Sequence, residues 1–285
     1  MSETITTRFA PSPTGPLHLG HAYSASLAHD MARAAAGRFL LRIEDIDQSR
    51  ARPEWEALIA EDLRWLGLAW DEPVMRQSER LPAYRAALLA LWRRGLIYPC
   101  TCTRRDILEA ASAPQEGAPP AIGPDGPVYP GLCRHVPDGS DSLPDAALRL
   151  NMALAVATLD APVQFRETGV RSGLHVIDPE HLVRDVGDVV LARREMGTSY
   201  HLAVVVDDAA QGVTHVTRGE DLFAATQIHV LLQHLLALPV PVYHHHRLIR
   251  DDHGKRLAKR DDARAIRSYR EDGLSPAEVR ALYSA

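Results

Sequence analysis

Hydrophobic and polar positions along the first hundred residues predict alternating strands and helices. Pro11 and Pro13 end the first apolar strand, Gly37 ends an alanine-rich helix, and Pro53 starts a helix whose apolar residues share one face. The strands are predicted at residues 5–10 and 39–43, and the helices at 20–36, 53–66 and 83–94. Alternation of this kind is typical of an α/β fold with a parallel sheet.

The rest of the chain begins with an irregular segment and then returns to regular elements. Ser112 to Asp145 contains eight prolines and five glycines, so little regular structure is expected there. Tyr200 to Val206 is a continuous apolar run, which we interpret as a buried parallel strand. Further strands are expected near residues 148, 163–165, 189–192 and 213–217 and after Pro241, with helices at 221–236 and from a capping box at 275–278.

Composition restricts the class of protein. The chain has 285 residues, of which 46% are apolar, and no apolar stretch approaches the roughly 18 residues of a membrane span. The N-terminus has neither the basic start nor the apolar block of a signal peptide, so we expect a cytoplasmic protein without membrane contact. A net charge of −5 means that any RNA contact uses a local basic patch. An odd number of cysteines argues against a disulfide framework.

The strongest functional signal is the segment from Pro11 to His21. A strand ends, a loop that contains Gly15 follows, and a helix begins with His18 and His21 three residues apart. Helix N-termini present free N–H groups and positive potential to phosphates, and histidines there can stabilise charge that develops on phosphate oxygens. Gly20 leaves room for a flat base against the backbone. These residues predict a nucleotide site with His18 and His21 as catalytic residues.

Two further segments carry candidate chemistry. The charged residues from Asp251 to Arg260 predict a basic loop that closes over a triphosphate and neutralises the departing pyrophosphate, with a solvated turn as the alternative. Cys100, Cys102 and Cys133 would suit zinc if a fourth ligand is present, with three reduced thiols as the alternative. The run His244 to His246 is not interpreted as a metal site, because alternate residues of a strand face opposite ways.

Five segments together resemble the class I glutamyl-tRNA synthetases. They are Arg8–Gly15 with His18–His21 for the first signature, Leu41–Asp47 for the second strand, Tyr200–Asp208 and Thr217–Leu222 for later catalytic motifs, and Arg256–Arg260 for the mobile lysine signature. The segments follow the family order and extend over nearly the whole chain. The resemblance implies a Rossmann-type catalytic domain that activates glutamate with ATP and Mg²⁺.

The resemblance also implies which residues bind the substrates. L-Glutamate is expected to contact Arg8, Phe9, Ala10, Pro11, Ser12, Glu44, Tyr200 and Arg218. ATP is expected to contact His18, Gly20, His21, Arg256, Leu257 and Lys259, of which Lys259 is the third catalytic residue. The chemistry agrees, because arginines pair bidentately with carboxylates and a glutamate can accept an ammonium. Arg256 and Ala258 depart from the lysine and serine of the family pattern, which bears on the rate or geometry of the loop.

In its cysteine positions and its short length, the chain resembles a subfamily of short paralogues, the glutamyl-queuosine tRNA(Asp) synthetases. In that subfamily a tyrosine at the position of Tyr129 completes a structural zinc site with the three cysteines, and His135 is the alternative ligand. The chain ends seven residues after Glu278, so we expect an inserted zinc-containing segment and no anticodon-binding domain. We divide the chain into a first Rossmann half (1–98), a zinc-containing and acceptor-binding insertion (99–187), a second Rossmann half (188–240) and a mobile-loop and truncated C-terminal segment (241–285).

The subfamily's reaction implies formation of glutamyl-adenylate without tRNA, followed by transfer of glutamate to the queuosine base at the wobble position of tRNA(Asp). We therefore expect a monomer whose partners are ATP, L-glutamate and the anticodon arm of that tRNA. A truncated glutamyl-tRNA synthetase that charges tRNA(Glu) is the alternative within the class. A non-catalytic nucleotide- or RNA-binding paralogue and a ligase that loads a small amine are alternatives from other classes.

Overall fold

The computed structural model describes residues 4–112, 121–134, 142–249 and 264–284. The strands are β1 Thr6–Phe9, β2 Arg38–Ile43, β3 Met75–Arg76, β4 Ile97–Cys100, β5 Ile122–Gly123, β6 Gly126–Pro127, β7 Ala147–Leu150, β8 Gln164–Glu167, β9 Gly173–Val176, β10 Val190–Ala192, β11 His215–Gly219 and β12 Val242–His246. The helices are α1 Leu19–Ala34, α2 Pro53–Trp65, α3 Leu81–Arg93, α4 Arg104–Ser112, α5 Met152–Ala157, α6 Pro179–His181, α7 Tyr200–Ala210, α8 Thr226–Leu235, α9 Ile266–Glu271 and α10 Pro276–Ser284. Short 3-10 or π-helical turns occupy Gln77–Arg80, Leu182–Val186 and Glu220–Leu222.

Two largely parallel sheets meet edge to edge and form the platform of the fold. One has the order β3–β2–β1, and the other has the order β11–β12–β8–β9, in which β9 runs antiparallel to β8. The backbone N–H of Thr214 donates to the carbonyl oxygen of Thr6 at 2.9 Å, which sets β11 beside β1. Strand order therefore switches at β1, between β2 on one side and β11 on the other. Open α/β sheets bind ligands at the carboxyl ends of strands at such a switch point.

The first helix shows why this platform forms. The alanines of α1 at positions 22, 25, 28 and 32 are fully buried against the sheet, and their small side chains allow the helix to approach it closely. Gly37 then turns the chain into β2, and a Cβ atom there would lie only 2.0 Å from the carbonyl oxygen of Ile5. A glycine is therefore required between α1 and β2. Within the described ranges, no helix has both the length and the apolar character that crossing a bilayer requires.

The strands of a smaller antiparallel sheet alternate along the chain with those of the second parallel sheet. Its strand order is β10–β7–β4, and the hairpin β5–β6 lies beside it. Asp188 joins these parts, because its buried carboxylate accepts hydrogen bonds from the Tyr98 hydroxyl at 2.5 Å, Arg134 Nε at 2.8 Å and the Met152 backbone N–H at 2.9 Å. The chain then contributes β8 and β9 to the main platform before it reaches α7.

The prediction of a strand at Tyr200–Val206 is wrong, because this run forms the first part of helix α7. Most of its side chains are buried, Leu202 and Val205 among them, so the helix lacks the polar face that produces a 3.6-residue period. A short apolar run cannot be assigned to a buried strand or a buried helix from its pattern alone. The other predicted strands and helices are found close to their expected positions, although the helix predicted at 221–236 is divided into a 3-10 turn and α8. The α/β class is confirmed.

Candidate active site

A cavity of about 440 Å³ opens at the carboxyl ends of β1, β2 and β11. Its walls include every residue predicted to bind glutamate, together with three predicted for ATP: Arg8, Phe9, Ala10, Pro11, Ser12, Glu44, Tyr200, Arg218, His18, Gly20 and His21. The fold brings them together because β1 carries Arg8, β11 carries Arg218 and Glu44 follows β2. The predicted ATP residues Arg256, Leu257 and Lys259 lie outside the described residues.

The two histidines at the start of α1 cap the helix reciprocally. Nδ1 of His18 accepts the backbone N–H of Gly20 at 3.1 Å, and Nδ1 of His21 accepts the backbone N–H of His18 at 3.3 Å. The rings stack with their centroids 3.8 Å apart. Because a backbone N–H can only donate, the proton of each neutral ring is on Nε2. Both histidines therefore carry an Nε2–H donor at the positive end of a helix that faces the cavity.

A buried ion cluster forms the floor of the cavity. Asp208 Oδ1 accepts Arg8 Nε at 3.0 Å and Arg42 Nη1 at 2.7 Å, while Arg42 Nη2 donates to Glu44 at 3.3 Å. Burial opposes ionisation of Asp208, but the charges of Arg8 and Arg42 hold its pKa below its usual range. Burial raises the pKa of Glu44 above its usual range despite Arg42. The cluster orients Arg8 and leaves Glu44 as the acidic wall of the cavity.

Arg218 is held differently from Arg8. Its Nε donates to His245 Nε2 at 3.1 Å, Nη1 to His229 Nδ1 at 2.9 Å and Nη2 to the hydroxyl of Thr226 at 2.8 Å. Burial and the charge of Arg218 lower the pKa of His229 well below its usual value and that of His245 to about 4. Arg218 is 5% exposed, and no ion pair with a carboxylate of the described residues involves it. It is a buried cation whose partners are neutral.

The cavity also contains polar atoms suited to a ligand. The ring of Tyr200 packs edge-on against His229, with centroids 5.4 Å apart, and burial raises the pKa of its hydroxyl, which therefore stays protonated. Among the described residues, the buried atoms Thr217 Oγ1 and His246 Nε2 have no hydrogen-bond partner, although both residues line the cavity. Unsatisfied buried polar atoms are rare in folded proteins, and a bound substrate would satisfy them.

The three consecutive histidines of β12 have separate roles. His245 is buried behind Arg218 and contacts Glu167, His244 Nδ1 lies 3.0 Å from the Thr168 hydroxyl, and His246 lines the cavity. The alternation of the strand thus separates His245 from its neighbours. The supporting roles of Asp208, His229 and Glu167 are not predictable from the sequence, since no local motif marks residues that support a binding arginine from other elements.

A second cavity of about 770 Å³ adjoins the first. The two share Ser12, Thr14, Glu44, Tyr200 and Leu222 as common walls. Beyond this boundary the second cavity is lined by Asp47, Arg50, Asp125, Arg193, Glu195 and His201, among others. Its far side is formed by the loop of the β5–β6 hairpin. Glu44 and Tyr200 therefore face both cavities.

The three cysteines converge, as a metal site requires. The Sγ atoms of Cys100, Cys102 and Cys133 lie within 4.8 Å of one another, and the Tyr129 hydroxyl lies 3.5 Å from Cys100 Sγ and 3.2 Å from Cys102 Sγ. Burial opposes ionisation of the Cys133 thiol, but hydrogen bonds from Tyr129 and from the loop lower its pKa to about 6. Three convergent sulfurs and a phenol oxygen fit a four-coordinate zinc ion. His135 lies outside the described residues.

A known family accounts for nearly the whole chain. Residues 4–283 match the family described as tRNA synthetases class I (E and Q), catalytic domain. The chain belongs to this family. It is therefore an enzyme, a ligase of the aminoacyl-tRNA synthetase type, and its Rossmann-type platform is the catalytic domain of a class I synthetase.

Curated relatives indicate which subfamily of class I synthetases the chain resembles. The glutamyl-Q tRNA(Asp) synthetase of Rhodobacter capsulatus is 70% identical over 279 residues, which are 97% of this chain and 98% of that protein. The glutamyl-Q tRNA(Asp) synthetase of Deinococcus radiodurans is 45% identical over 98% of this chain and 87% of its own length. The resemblance to the glutamyl-queuosine tRNA(Asp) synthetases that the sequence motifs indicated is thus confirmed.

Longer synthetases match over part of their length. The glutamate–tRNA ligase of Aquifex aeolicus is 38% identical over 95% of this chain and 55% of its own length. A solved glutamate tRNA ligase from Elizabethkingia meningosepticum, in complex with its amino acid, superimposes with a TM-score of 0.77 at 28% identity, covering 98% of this chain and 60% of that one. This chain therefore spans little more than half the length of those synthetases.

Proposed function

We propose that the chain activates L-glutamate with ATP, without tRNA, and transfers the glutamyl group to the queuosine base at the wobble position of tRNA(Asp). The observation that supports glutamate as the amino acid is the environment of Arg218. A buried guanidinium with only neutral partners among the described residues requires an anion. A carboxylate of glutamate supplies that charge, whereas the amide of glutamine does not.

The remaining charges of the cavity fit the rest of the amino acid. Arg8 is already paired with Asp208, so it can bind a second carboxylate through its remaining N–H groups without being the main source of positive charge. Glu44, whose carboxylate is paired with Arg42 at 3.3 Å within the part of the chain that the structure describes, can accept the ammonium. The hydroxyl of Tyr200 lies in the wall between these groups. Two carboxylates and one ammonium thus meet two arginines and one glutamate.

Activation follows from this placement. The α-carboxylate of glutamate is ionised near neutral pH, so no general base is needed. One of its oxygens attacks the α-phosphorus of ATP in line, a C–O–P bond forms, and the bond to the bridging oxygen breaks as pyrophosphate leaves. The Nε2–H groups of His18 and His21 can donate to the phosphate oxygens as their charge increases. Mg²⁺ bound with ATP would supply further neutralising charge, and by family position Lys259 would act on the same phosphates.

Transfer uses the second cavity. A base presented by an RNA loop can leave its stack and enter a protein pocket, and the second cavity leads to the wall formed by Glu44 and Tyr200. A hydroxyl of the queuosine ring attacks the acyl carbonyl, an ester bond forms, the mixed-anhydride C–O bond to the phosphate breaks, and AMP leaves with the proton of that hydroxyl. The names of the Rhodobacter and Deinococcus relatives support this acceptor. We further propose a cytoplasmic monomer with one structural zinc ion held by Cys100, Cys102, Cys133 and Tyr129.

The proposal is tested by two assays on the purified chain. Glutamate-dependent exchange of pyrophosphate into ATP should proceed without RNA, and exchange that appears only after tRNA is added would contradict RNA-independent activation. An anticodon stem-loop that carries queuosine should then be glutamylated, while the same hairpin with guanosine should not. Glutamate recovered on the terminal adenosine of tRNA(Glu), with the queuosine hairpin inert, would reassign the chain as a truncated glutamyl-tRNA synthetase.

A further inference from the structure

A line of polar contacts leads from Arg218 to the surface of the second cavity. His229, which accepts from Arg218, has its Nε2 atom 3.1 Å from Nδ1 of His201. Nε2 of His201 lies 3.3 Å from a carboxylate oxygen of Asp125. His201 and His229 are 6% and 1% exposed, whereas the Asp125 side chain is 39% exposed and lines the second cavity. Four side chains from β11, α8, α7 and the β5–β6 hairpin are thus connected.

The direction of every hydrogen bond in this line is determined by its two ends. A guanidinium can only donate, so Nδ1 of His229 is the acceptor and its single proton is on Nε2. That proton is donated to Nδ1 of His201, whose own proton is consequently on Nε2. The Nε2–H of His201 then faces the carboxylate of Asp125 at 3.3 Å, and a carboxylate can only accept. The positive and negative ends therefore select one tautomer of each of the two neutral histidines.

His245, on the other side of Arg218, also has its tautomer selected by its two partners. Nε2 of His245 accepts from Arg218, so its proton is on Nδ1, which donates to Glu167 Oε2 at 2.5 Å. With Thr226 as the third acceptor, three of the five guanidinium N–H groups are used within the described residues. One N–H remains on each terminal nitrogen, and two such groups are what a carboxylate takes in a bidentate pair.

We propose that Asp125, His201 and His229 are positioning residues for Arg218, and that they couple the glutamate site to the hairpin that walls the second cavity. This inference rests on the proposed function. If Asp125 is lost or displaced, only Arg218 still selects the tautomers of His201 and His229. The alternative tautomers, which would place an Nδ1–H of His229 against the guanidinium, are then disfavoured less, so Arg218 is held less firmly towards its ligand.

The hairpin is seated closely enough for this coupling. A Cβ atom at Gly123 would lie 2.6 Å from the carbonyl oxygen of Asp185, so a glycine is needed for the hairpin to rest on the turn Leu182–Val186. The loop residues Pro124 and Asp125 follow directly and face the second cavity. Any movement of the hairpin must therefore move the carboxylate that ends the line, and by linkage the state of the glutamate site must act back on the hairpin.

The test is RNA-free pyrophosphate exchange by the full chain and its variants. Asp125→Asn and His201→Phe should each raise the KM for glutamate about threefold to tenfold, the size expected for one hydrogen bond, with kcat and the KM for ATP unchanged. The double variant should show no more than the larger single effect, because both interrupt one line. Asp160→Asn removes the same charge from an exposed position of the insertion and should have no effect.

A second measurement determines the histidine tautomers directly, and it can be made on the wild type even if a variant folds poorly. Two-bond proton–nitrogen spectra of the chain labelled with ¹⁵N-histidine should show His201 and His229 protonated at Nε2 in the wild type and a changed His201 signal in Asp125→Asn. Active wild type with unchanged glutamate KM in both variants, or His229 protonated at Nδ1, would overturn the inference. Wild type without any glutamate-dependent exchange would instead overturn the proposed function.

Discussion

Arg218 donates its Nε–H to Nε2 of His245 at 3.1 Å, which places a neutral acceptor against a buried cation. Glu167 lies on the far side of the same imidazole, 2.5 Å from Nδ1. The carboxylate that orients His245 is therefore one side chain removed from Arg218. The arginine is held in place but not neutralised by direct contact, and this is the physical basis for expecting it to bind an anionic substrate group.

Replacing Arg218 should change glutamate use and leave ATP binding nearly intact. Arg218→Ala removes the cation that faces the substrate carboxylate, and losing a buried charge pair of this kind costs on the order of 2–5 kcal/mol. The KM for glutamate in pyrophosphate exchange should rise about 100-fold or more, while the KM for ATP changes little. Arg218→Lys should restore only part of the activity, because an ammonium lacks the planar fork.

The matched control for this substitution is Arg105→Ala, which removes an exposed arginine that pairs with Glu109 on the same helix. It should leave both KM values unchanged. The wild type should also prefer glutamate strongly over glutamine, and equal exchange rates with the two amino acids would contradict the assignment of the pocket.

Glutamate binding should weaken on acidification. Glu44 must be ionised to accept the ammonium, and burial raises its pKa above the usual value. A raised pKa means that the carboxylate becomes protonated at a higher pH than an ordinary glutamate would. The KM for glutamate, measured in pyrophosphate exchange from about pH 8 to about pH 5, should therefore rise before the substrate itself, with carboxyl pKa values of about 4 or below, is protonated. In Glu44→Gln the KM should be high and should lack this acid limb.

Asp208 should be important for stability as well as for the site. Asp208→Asn leaves the buried arginines at positions 8 and 42 without their shared carboxylate, and unpairing a buried charge costs about 3–5 kcal/mol. Urea unfolding at neutral pH should show that loss, with Asp160→Asn as the exposed control. Because the folded state holds the pKa of Asp208 low, the difference from wild type should persist down to about pH 4. It should disappear only as the pH falls through the lower folded value.

Metal analysis should find about one zinc ion per chain. Cys100→Ser should lose the zinc and make the segment up to about Asp145 more sensitive to protease, because the site replaces a hydrophobic core there. Tyr129→Phe keeps the ring that packs against Arg149 and removes only the hydroxyl, so it should weaken zinc binding without abolishing it. Metal-free protein with unchanged folding and activity would favour three free thiols.

Local patterns of residues are enough to predict the features that depend on neighbouring residues. The proline-bounded strand, the glycine-containing loop and His18 and His21 at a helix start are local, and so are the Cys100–Cys102 pair and the capping box at Ser275. In the structure Ser275 and Glu278 form that box reciprocally. Each of these elements is stabilised by contacts within a few residues, so its pattern can be recognised without the fold.

Which elements surround the site, and how its charges are paired, depends on contacts between distant parts of the chain. The sequence predicts a strand where helix α7 forms, because a buried helix has no polar face. The helix packs against α3 and α8, and the sequence pattern does not show these contacts. Asp208 is 200 positions from Arg8, and Glu167 is 78 positions from His245. The line from Arg218 to Asp125 requires four elements to meet. Such pairs form because the fold brings distant residues together in a buried, low-dielectric environment. A local pattern of residues does not show which residues will meet there.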